Sequence, residues 1–304
     1  MHLDKLRRTW YDVTVPEGKA VGPMTRELSE AQRMEQELLT VRRKALWRPF
    51  MQAVRRYALI RSGDRIAVCI SGGKDSMLLA LLMRILQRHS EVPFEAVYLI
   101  MDPGYSPENR RRIEDNARRL EIPYTLIESD VFEAAAGEEK HPCFLCARMR
   151  RGCLYRHAQA LGCNKIALGH HFDDVIETTL MGMLYGGQIQ AMPPKLHAEH
   201  FPGMELIRPM YRIRERDIVD WRDGSGLRFL QCACRFTESS GEGRADSKRQ
   251  EIKALIAGLD AENPKVSANI FNSIHTVQLD TLVGWKHRGE AHSFLDDYDE
   301  SDPC

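Results

Sequence analysis

The feature that most limits how this chain can fold is the junction at 65–86. Arg65-Ile66-Ala67-Val68-Cys69-Ile70 is a short apolar run bounded by turn residues, which suits a buried strand. Ser71-Gly72-Gly73-Lys74-Asp75-Ser76 follows at once, and 77–86 reads as a packed helix. A strand that turns through two glycines into a helix presents backbone amides to an anion. Glycine tolerates positive φ and close approach, and the helix N-terminus carries partial positive charge. Lys74 adds a full charge, and Ser71 and Ser76 add hydroxyl donors. The loop is not a Walker A sequence, which needs Gly-x-x-x-x-Gly-Lys. A glycine-rich turn without a ligand is the plain alternative. The strand-to-helix context, with Lys74 and two serines beside the glycines, argues against it.

The pattern around the junction alternates. Further strands are predicted at 94–100, 124–128 and 165–168, with a fifth starting at Leu206. Helices are predicted at 107–120, with Ser106 as N-cap and Pro107 in the first turn, and at 146–161, 173–185 and 214–223. Such alternation predicts an α/β fold, a parallel sheet with helices on both faces. Right-handed crossovers then gather the loops starting at 71, 101, 129 and 169 at one edge, where ligands bind. The expected organisation is an N-terminal extension at 1–60, partly helical, and a phosphate-binding α/β domain at 61–230. A helical region at 231–280 follows, with segments at 247–259 and 265–277. An acidic tail at 281–304 is expected to lack fixed structure.

No stretch approaches the roughly 18 apolar residues needed to cross a bilayer. The first ten residues are charged without an apolar run behind them, so a cytoplasmic location without membrane association is expected. Lys plus Arg and Asp plus Glu both number 43. That balance hides 14 basic against 8 acidic residues in 1–65, and six acidic residues without Lys or Arg in 289–304. The basic front reads either as solvated surface or as a partner-binding face.

Eight cysteines in a 304-residue chain of this kind point to metal or redox chemistry rather than disulfides. Cys69 lies in the apolar run and reads as core. Cys143 and Cys146 form a C-x-x-C pair followed by Arg148, Arg150 and Arg151. Two thiolates at this spacing can hold one metal or cluster, and arginines favour thiolates and anionic ligands. The chain has no second C-x-x-C; it offers Cys232-Ala233-Cys234, a tight fit for both sulfurs on one metal. Three thiolates would leave one iron of a four-iron cluster open. A zinc knuckle or a plain thiol pair is the alternative. Gly169-His170-His171-Phe172-Asp173-Asp174 follows the fourth strand. Strand-end carboxylates can hold Mg²⁺ against phosphates, which singles out Asp174. Each histidine taken alone, and either aspartate, could instead cap a helix.

The loop at 71–76 resembles that of the PP-loop ATP pyrophosphatases, which cleave ATP between the α and β phosphates and adenylate a carbonyl oxygen. Taken with Cys143–Arg151, the Gly-His-His-x-Asp-Asp segment, Tyr185-Gly186-Gly187 and Met192-Pro193-Pro194-Lys195-Leu196, the chain resembles the tRNA-cytidine 2-sulfurtransferase (tRNA 2-thiocytidine biosynthesis) family. The likeness runs from about 45 to 277. It implies an adenine nucleotide α-hydrolase-like sheet, ATP, Mg²⁺ and a [4Fe–4S] cluster. Sulfur carried on the open iron would replace the C2 oxygen of a tRNA cytidine. Carried onto this chain, it implies catalytic roles for Lys74, Arg150 and Asp174. ATP would contact Ser71, Gly72, Gly73, Lys74, Asp75, Ser76, Gly169 and His170. The cluster would take Cys143, Cys146 and Cys232, with Cys234 as the alternative third ligand, and Asp174 would hold Mg²⁺. The family's Pro-Cys-x-x-Cys-Gly is here Gln231-Cys232-Ala233-Cys234-Arg235. The implied partners are tRNA and a sulfur donor such as a cysteine desulfurase, and a homodimer is left open. Competing readings are an ammonia-using ligase or lysidine-type synthetase, sulfur removal from a thiolated substrate, and a non-catalytic iron–sulfur or nucleotide-binding protein. The cysteines argue against the first; the intact ATP loop argues against the other two.

Overall fold

A computed structural model of the chain describes residues 28–136, 142–230, 244–296 and 298. Three short helical pieces come first: α1 (Glu30–Leu39), a π-helical turn (Arg43–Trp47) and α2 (Arg48–Arg56). Ser29 and Gln32 start α1 as a reciprocal capping box. Leu38, Leu46 and Phe50 are fully buried and belong to the same core as the sheet. Half-buried Glu35 pairs with Arg84 and Arg88 at 3.3 and 3.0 Å, tying α1 to the helix that follows the first strand.

The chain then alternates through β1 (Arg65–Ile70), α3 (Lys74–His89), β2 (Glu95–Asp102), α4 (Pro107–Arg119) and β3 (Tyr124–Glu128). Next come α5 (Val131–Ala136), α6 (Pro142–Ala160), β4 (Lys165–Ala167) and α7 (Phe172–Gly186). A hairpin of β5 (Lys195–His197) and β6 (Glu205–Ile207) leads to α8 (Glu215–Gly224). Ser106 caps α4 by accepting from the Asn109 amide. Ten consecutive α3 residues from Met77 to Leu86 are buried, as expected of a helix that is apolar nearly all round.

The six-stranded sheet has the order β3-β2-β1-β4-β6-β5. All its pairings are parallel except β5 with β6. Strand β5 is absent from the sequence reading: three residues inside a Pro-rich run carry too little periodicity to show. The order moves outward from β1 through β2 to β3, then returns to place β4 on the other side of β1. Ligands bind beyond the carboxyl ends of strands at such a reversal. Lys165 anchors β4 beneath it. Its ammonium, 2% exposed, meets Asp64 at 2.7 Å, Glu205 at 3.2 Å and the Leu59 carbonyl at 2.8 Å. Burial alone would raise the Asp64 carboxyl, but hydrogen bonds from Lys165, Asn164 and the Arg61 amide carry it below its usual value.

The chain divides into two compact units between Gln250 and Glu251. Helix α9 (Arg244–Glu262) spans the division, followed by α10 (Val266–Ser273). Where the sequence suggested an unstructured tail from 281, β7 (Gly284–His287) and β8 (Glu290–Ser293) form an antiparallel hairpin. Trp285 stacks on His292 across it at 5.4 Å, a cross-strand pair that favours pairing over coil.

Candidate active site

Loop 71–76 closes on itself through side chains. Ser76 Oγ donates to the Gly73 carbonyl at 3.0 Å and accepts from the Ser71 amide at 3.1 Å. Gly72 has φ +86°, and a Cβ there would lie 2.6 Å from Ile113 Cγ1, so both conformation and packing demand glycine. Gly73 is the N-cap of α3, and no side chain caps that helix. Its first amides are therefore the unsatisfied donors that suit an anion. The Lys74 ammonium lies 3.1 Å from Asp75 and 3.2 Å from Glu215.

Strand β2 ends in Asp102, whose Oδ1 accepts from the Gly104 and Tyr105 amides at 2.9 and 2.7 Å. That turn holds Tyr105 over the loop. Its hydroxyl donates to the Ser71 carbonyl and accepts from Arg150 on α6, both at 3.4 Å. Burial raises the Tyr105 hydroxyl pKa, opposed by Arg150 and reinforced by Asp102 and Cys146. Cys146, on α6 one turn before Arg150, is 5% exposed. Cys143 is in the first turn of α6; its side chain lies outside the described residues, as do Cys232 and Cys234. Leu230, two residues ahead of Cys232, donates from its amide to the Gly72 carbonyl at 3.0 Å.

Strand β4 supplies the opposite wall. A Cβ on Gly169 would lie 3.1–3.2 Å from the Asp75 carbonyl and the Ser76 amide, so the two strand-end loops touch. Burial, opposed by Asp174, holds the His170 imidazole down to about 4, and its Nδ1 is buried without a hydrogen bond. His171, a capping candidate from sequence, is indeed the N-cap of α7. It forms a reciprocal pair with Asp174, whose Oδ2 accepts from the His171 amide at 2.9 Å. Asp173 accepts from the Glu215 amide at 2.6 Å and pairs with Arg214 at 3.2 Å, which brings α8 and Glu215 to Lys74. Arg249 of α9 bonds Asp174 Oδ1 at 3.2 Å and Glu177 Oε2 at 3.1 Å.

Two cavities flank the loop. One of about 900 Å³ is lined by Ser71, Lys74, Asp75, Tyr105, Arg150, Glu215 and Leu230. The other, about 440 Å³, is lined by Ile70, Ser71, Met101, Arg150, Gly169, His170 and Asp174. Ser71, Asp75 and Arg150 line both. Of the described residues expected at the site, Ser71, Gly73, Lys74, Asp75, Ser76, Arg150, Gly169, His170 and Asp174 line one or both cavities, whereas Gly72 and Cys146 line neither. Of the neighbouring arginines, Arg151 lines the smaller cavity and Arg148 is exposed. Tyr105, Glu215 and Arg249 escaped the sequence reading, which marks Asp173 only as a possible helix cap. Only the Asp173-Asp174 doublet and the polar start of α8 offered any signal.

A self-bonded Ser-Gly-Gly loop at the reversal of a mostly parallel sheet defines a PP-loop, ATP-using α/β protein. The family model described as "PP-loop domain" matches residues 41–234. The chain is 36% identical over 258 residues to the tRNA-cytidine(32) 2-sulfurtransferase of Anaeromyxobacter dehalogenans, covering 83% of this chain and 86% of that one. It is also 36% identical over 240 residues to the enzyme of that name from Coxiella burnetii, covering 76% and 89%. The chain belongs to the PP-loop family and, within it, to the tRNA-cytidine(32) 2-sulfurtransferases. Its fold is similar to that of the U34-tRNA thiolase NcsA from Methanococcus maripaludis, solved with its [4Fe–4S] cluster. The TM-score is 0.57 at 19% identity, over 81% of this chain and 78% of that one.

Proposed function

We propose that the chain replaces the C2 oxygen of a tRNA cytidine with sulfur, in the cytoplasm, at the expense of ATP. What carries the reading is convergence: the loop and Arg150 of the Cys146-bearing helix line both cavities, and Asp174 lines the smaller one. The apolar residues Ile70, Met101, Ile166 and Leu168 make the smaller cavity suitable for a nucleoside. The triphosphate then lies on the amides that open α3, and Lys74 exchanges Glu215 or Asp75 for phosphate oxygen. Asp174 holds Mg²⁺ on the same phosphates. Arg150, half-buried between the two cavities, places its charge where the α-phosphate meets the base oxygen.

The base oxygen attacks the α-phosphorus; diphosphate leaves and a C2–O–AMP ester forms. Sulfide then adds at C2 and AMP departs with the oxygen, so the base undergoes no net redox change. A [4Fe–4S] group would be held by Cys143, Cys146 and Cys232, with Cys234 as the alternative third ligand; Cys146, a thiol beside Tyr105 and Arg150, suits that donor set. Helix α6 carries Cys146 to Tyr105 and the loop, and Leu230 brings the chain just upstream of Cys232 to the same loop. When bound, such a cluster supplies an open iron on which sulfide is presented. A cysteine desulfurase or similar donor replenishes the sulfur.

Anaerobic purification, with iron and acid-labile sulfide assayed beside a visible spectrum, tests the reading. Near-stoichiometric four-iron content is expected, lost in Cys143→Ala and Cys146→Ala together with thiolation of tRNA scored by nucleoside mass spectrometry. Zinc in place of iron, or thiolation surviving in Cys146→Ala, would sink it.

A further inference from the structure

The far end of α7 carries a patch that the phosphate site does not use. Met183, Leu184, Tyr185 and Ile189 are 46, 57, 45 and 62% exposed. In sequence they flank Gly187, whose left-handed conformation ends the helix. So many large apolar side chains gathered at one helix end are more than the scattered surface hydrophobics every protein shows. The ammonium of Lys248 on α9 lies 4.8 Å from the centroid of the Tyr185 ring, where the ring's negative face attracts a cation.

The patch is joined to the phosphate site along one helix. Arg249, next to Lys248, holds Asp174. From Asp174 to Tyr185 the path along α7 is about 16 Å at the ~1.5 Å rise per residue of a helix. Between them a cavity of about 360 Å³ is lined by Thr178, Met181, Gly182, Gln190, Ala191 and Arg249. The sequence of features is therefore a phosphate site, a mainly apolar cavity with an amide and a guanidinium on its wall, and an exposed ring with a cation on it. That is the make-up of a surface for unstacked single-stranded nucleic acid: bases enter pockets or stack on aromatic faces while cations meet the phosphates. An apolar helix from a protein partner would match Met183, Leu184 and Ile189 but would desolvate the Lys248 ammonium with nothing to pair it.

We propose that this track holds the RNA nucleotides flanking the reacting base. The cavity beside Thr178 and Gln190 takes one unstacked base, and Tyr185 stacks another beneath Lys248. The proposal rests on the tRNA reading above and extends it to residues that do no chemistry.

Fluorescence anisotropy of the full chain with an unmodified tRNA transcript, in the presence of a non-hydrolysable ATP analogue, tests it. Tyr185→Ala is expected to weaken binding roughly tenfold, the scale of one lost stacking contact, whereas Tyr185→Phe keeps the ring and stays within about twofold. Lys248→Met is expected to weaken binding and flatten its salt dependence, because one fewer counterion is released. Calorimetric affinity for the ATP analogue should be unchanged in all three. If Tyr185→Ala binds tRNA as tightly as the unaltered chain, the track is wrong while the thiolation reading stands. If Tyr185→Ala instead halves the mass seen in sedimentation and leaves RNA affinity intact, the patch is an interface between copies and the proposal is overturned. If the unaltered chain binds no tRNA, the functional reading falls first and takes the track with it.

Discussion

Arg249 bridges two carboxylates with one terminal nitrogen, 3.2 Å from Asp174 Oδ1 and 3.1 Å from Glu177 Oε2. The other Asp174 oxygen is committed to the His171 amide. The oxygen left for a divalent cation is therefore the one the guanidinium already holds. Arg249→Met is expected to tighten Mn²⁺ binding severalfold in the presence of an ATP analogue, followed by electron paramagnetic resonance, and to lower turnover. Glu177, 3% exposed, would lose the Arg249 contact at a cost of about 1–3 kcal/mol, discounted because Arg249 is partly solvated. Glu177→Gln in the same chain should recover that stability. Unaltered Mn²⁺ affinity in both variants would remove Asp174 as a metal ligand.

The two loop glycines should respond differently to alanine. At Gly72 the positive φ costs about 1–2 kcal/mol, and the Cβ contact with Ile113 adds about 1–3 kcal/mol of overpacking. Gly72→Ala should lower the melting temperature, and Ile113→Val, which removes Cδ1 but keeps Cγ1, should restore only a fraction of the packing part. Gly73 has φ −77°, and the nearest atom to a Cβ there is Ser71 Oγ at 3.8 Å. Gly73→Ala should melt normally and lose nucleotide affinity alone. A lowered melting temperature for Gly73→Ala would contradict this division.

Lys165→Met should cost about 3–5 kcal/mol, read as a shift in urea midpoint. It strands Asp64 and Glu205 without the buried cation they share. Asp64→Asn with Glu205→Gln should recover much of the loss. A change under about 1 kcal/mol in Lys165→Met would show that the cation anchors β4 far less than its burial implies.

Burial, reinforced by Cys163, pushes the Cys69 thiol up to about 12 from its usual 9.0. As pH rises through 9 the unfolded thiol ionises while the folded one keeps its proton. The unfolded state then binds fewer protons, so stability falls between about pH 9 and 12. Native protein should leave Cys69 unalkylated at pH 8 in pulsed iodoacetamide labelling, and Cys69→Ala should show a flatter alkaline stability loss. Rapid native labelling of Cys69 would contradict its burial.

The sheet was legible where local chemistry decides structure. Ser106 and Pro107 announce α4, and the apolar run at 65–70 followed by glycines announces β1 and its loop. What stayed hidden is long-range. Glu215 meets Lys74 across 141 positions and Arg249 meets Asp174 across 75, and no local pattern marks either partner. Tyr105 looks like a turn residue until Asp102 folds its amide back over the loop. The hairpin at 284–293 was masked by the acidic composition that follows it, because charge density outweighs a single Trp–His pair in any reading of composition.

The hydrogen bond from the Leu230 amide to the Gly72 carbonyl also sets a length. Chain reach is limited to about 3.6 Å per residue, so Cys232 is on a leash of about 7 Å from an anchor that is itself part of the phosphate loop. Each residue inserted between 230 and 232 would lengthen that leash by half without touching a single ligand. The spacing of those residues is thus a ruler: under the proposed cluster ligation it would set the reach between nucleotide and sulfur chemistry in chain length as much as in side chains.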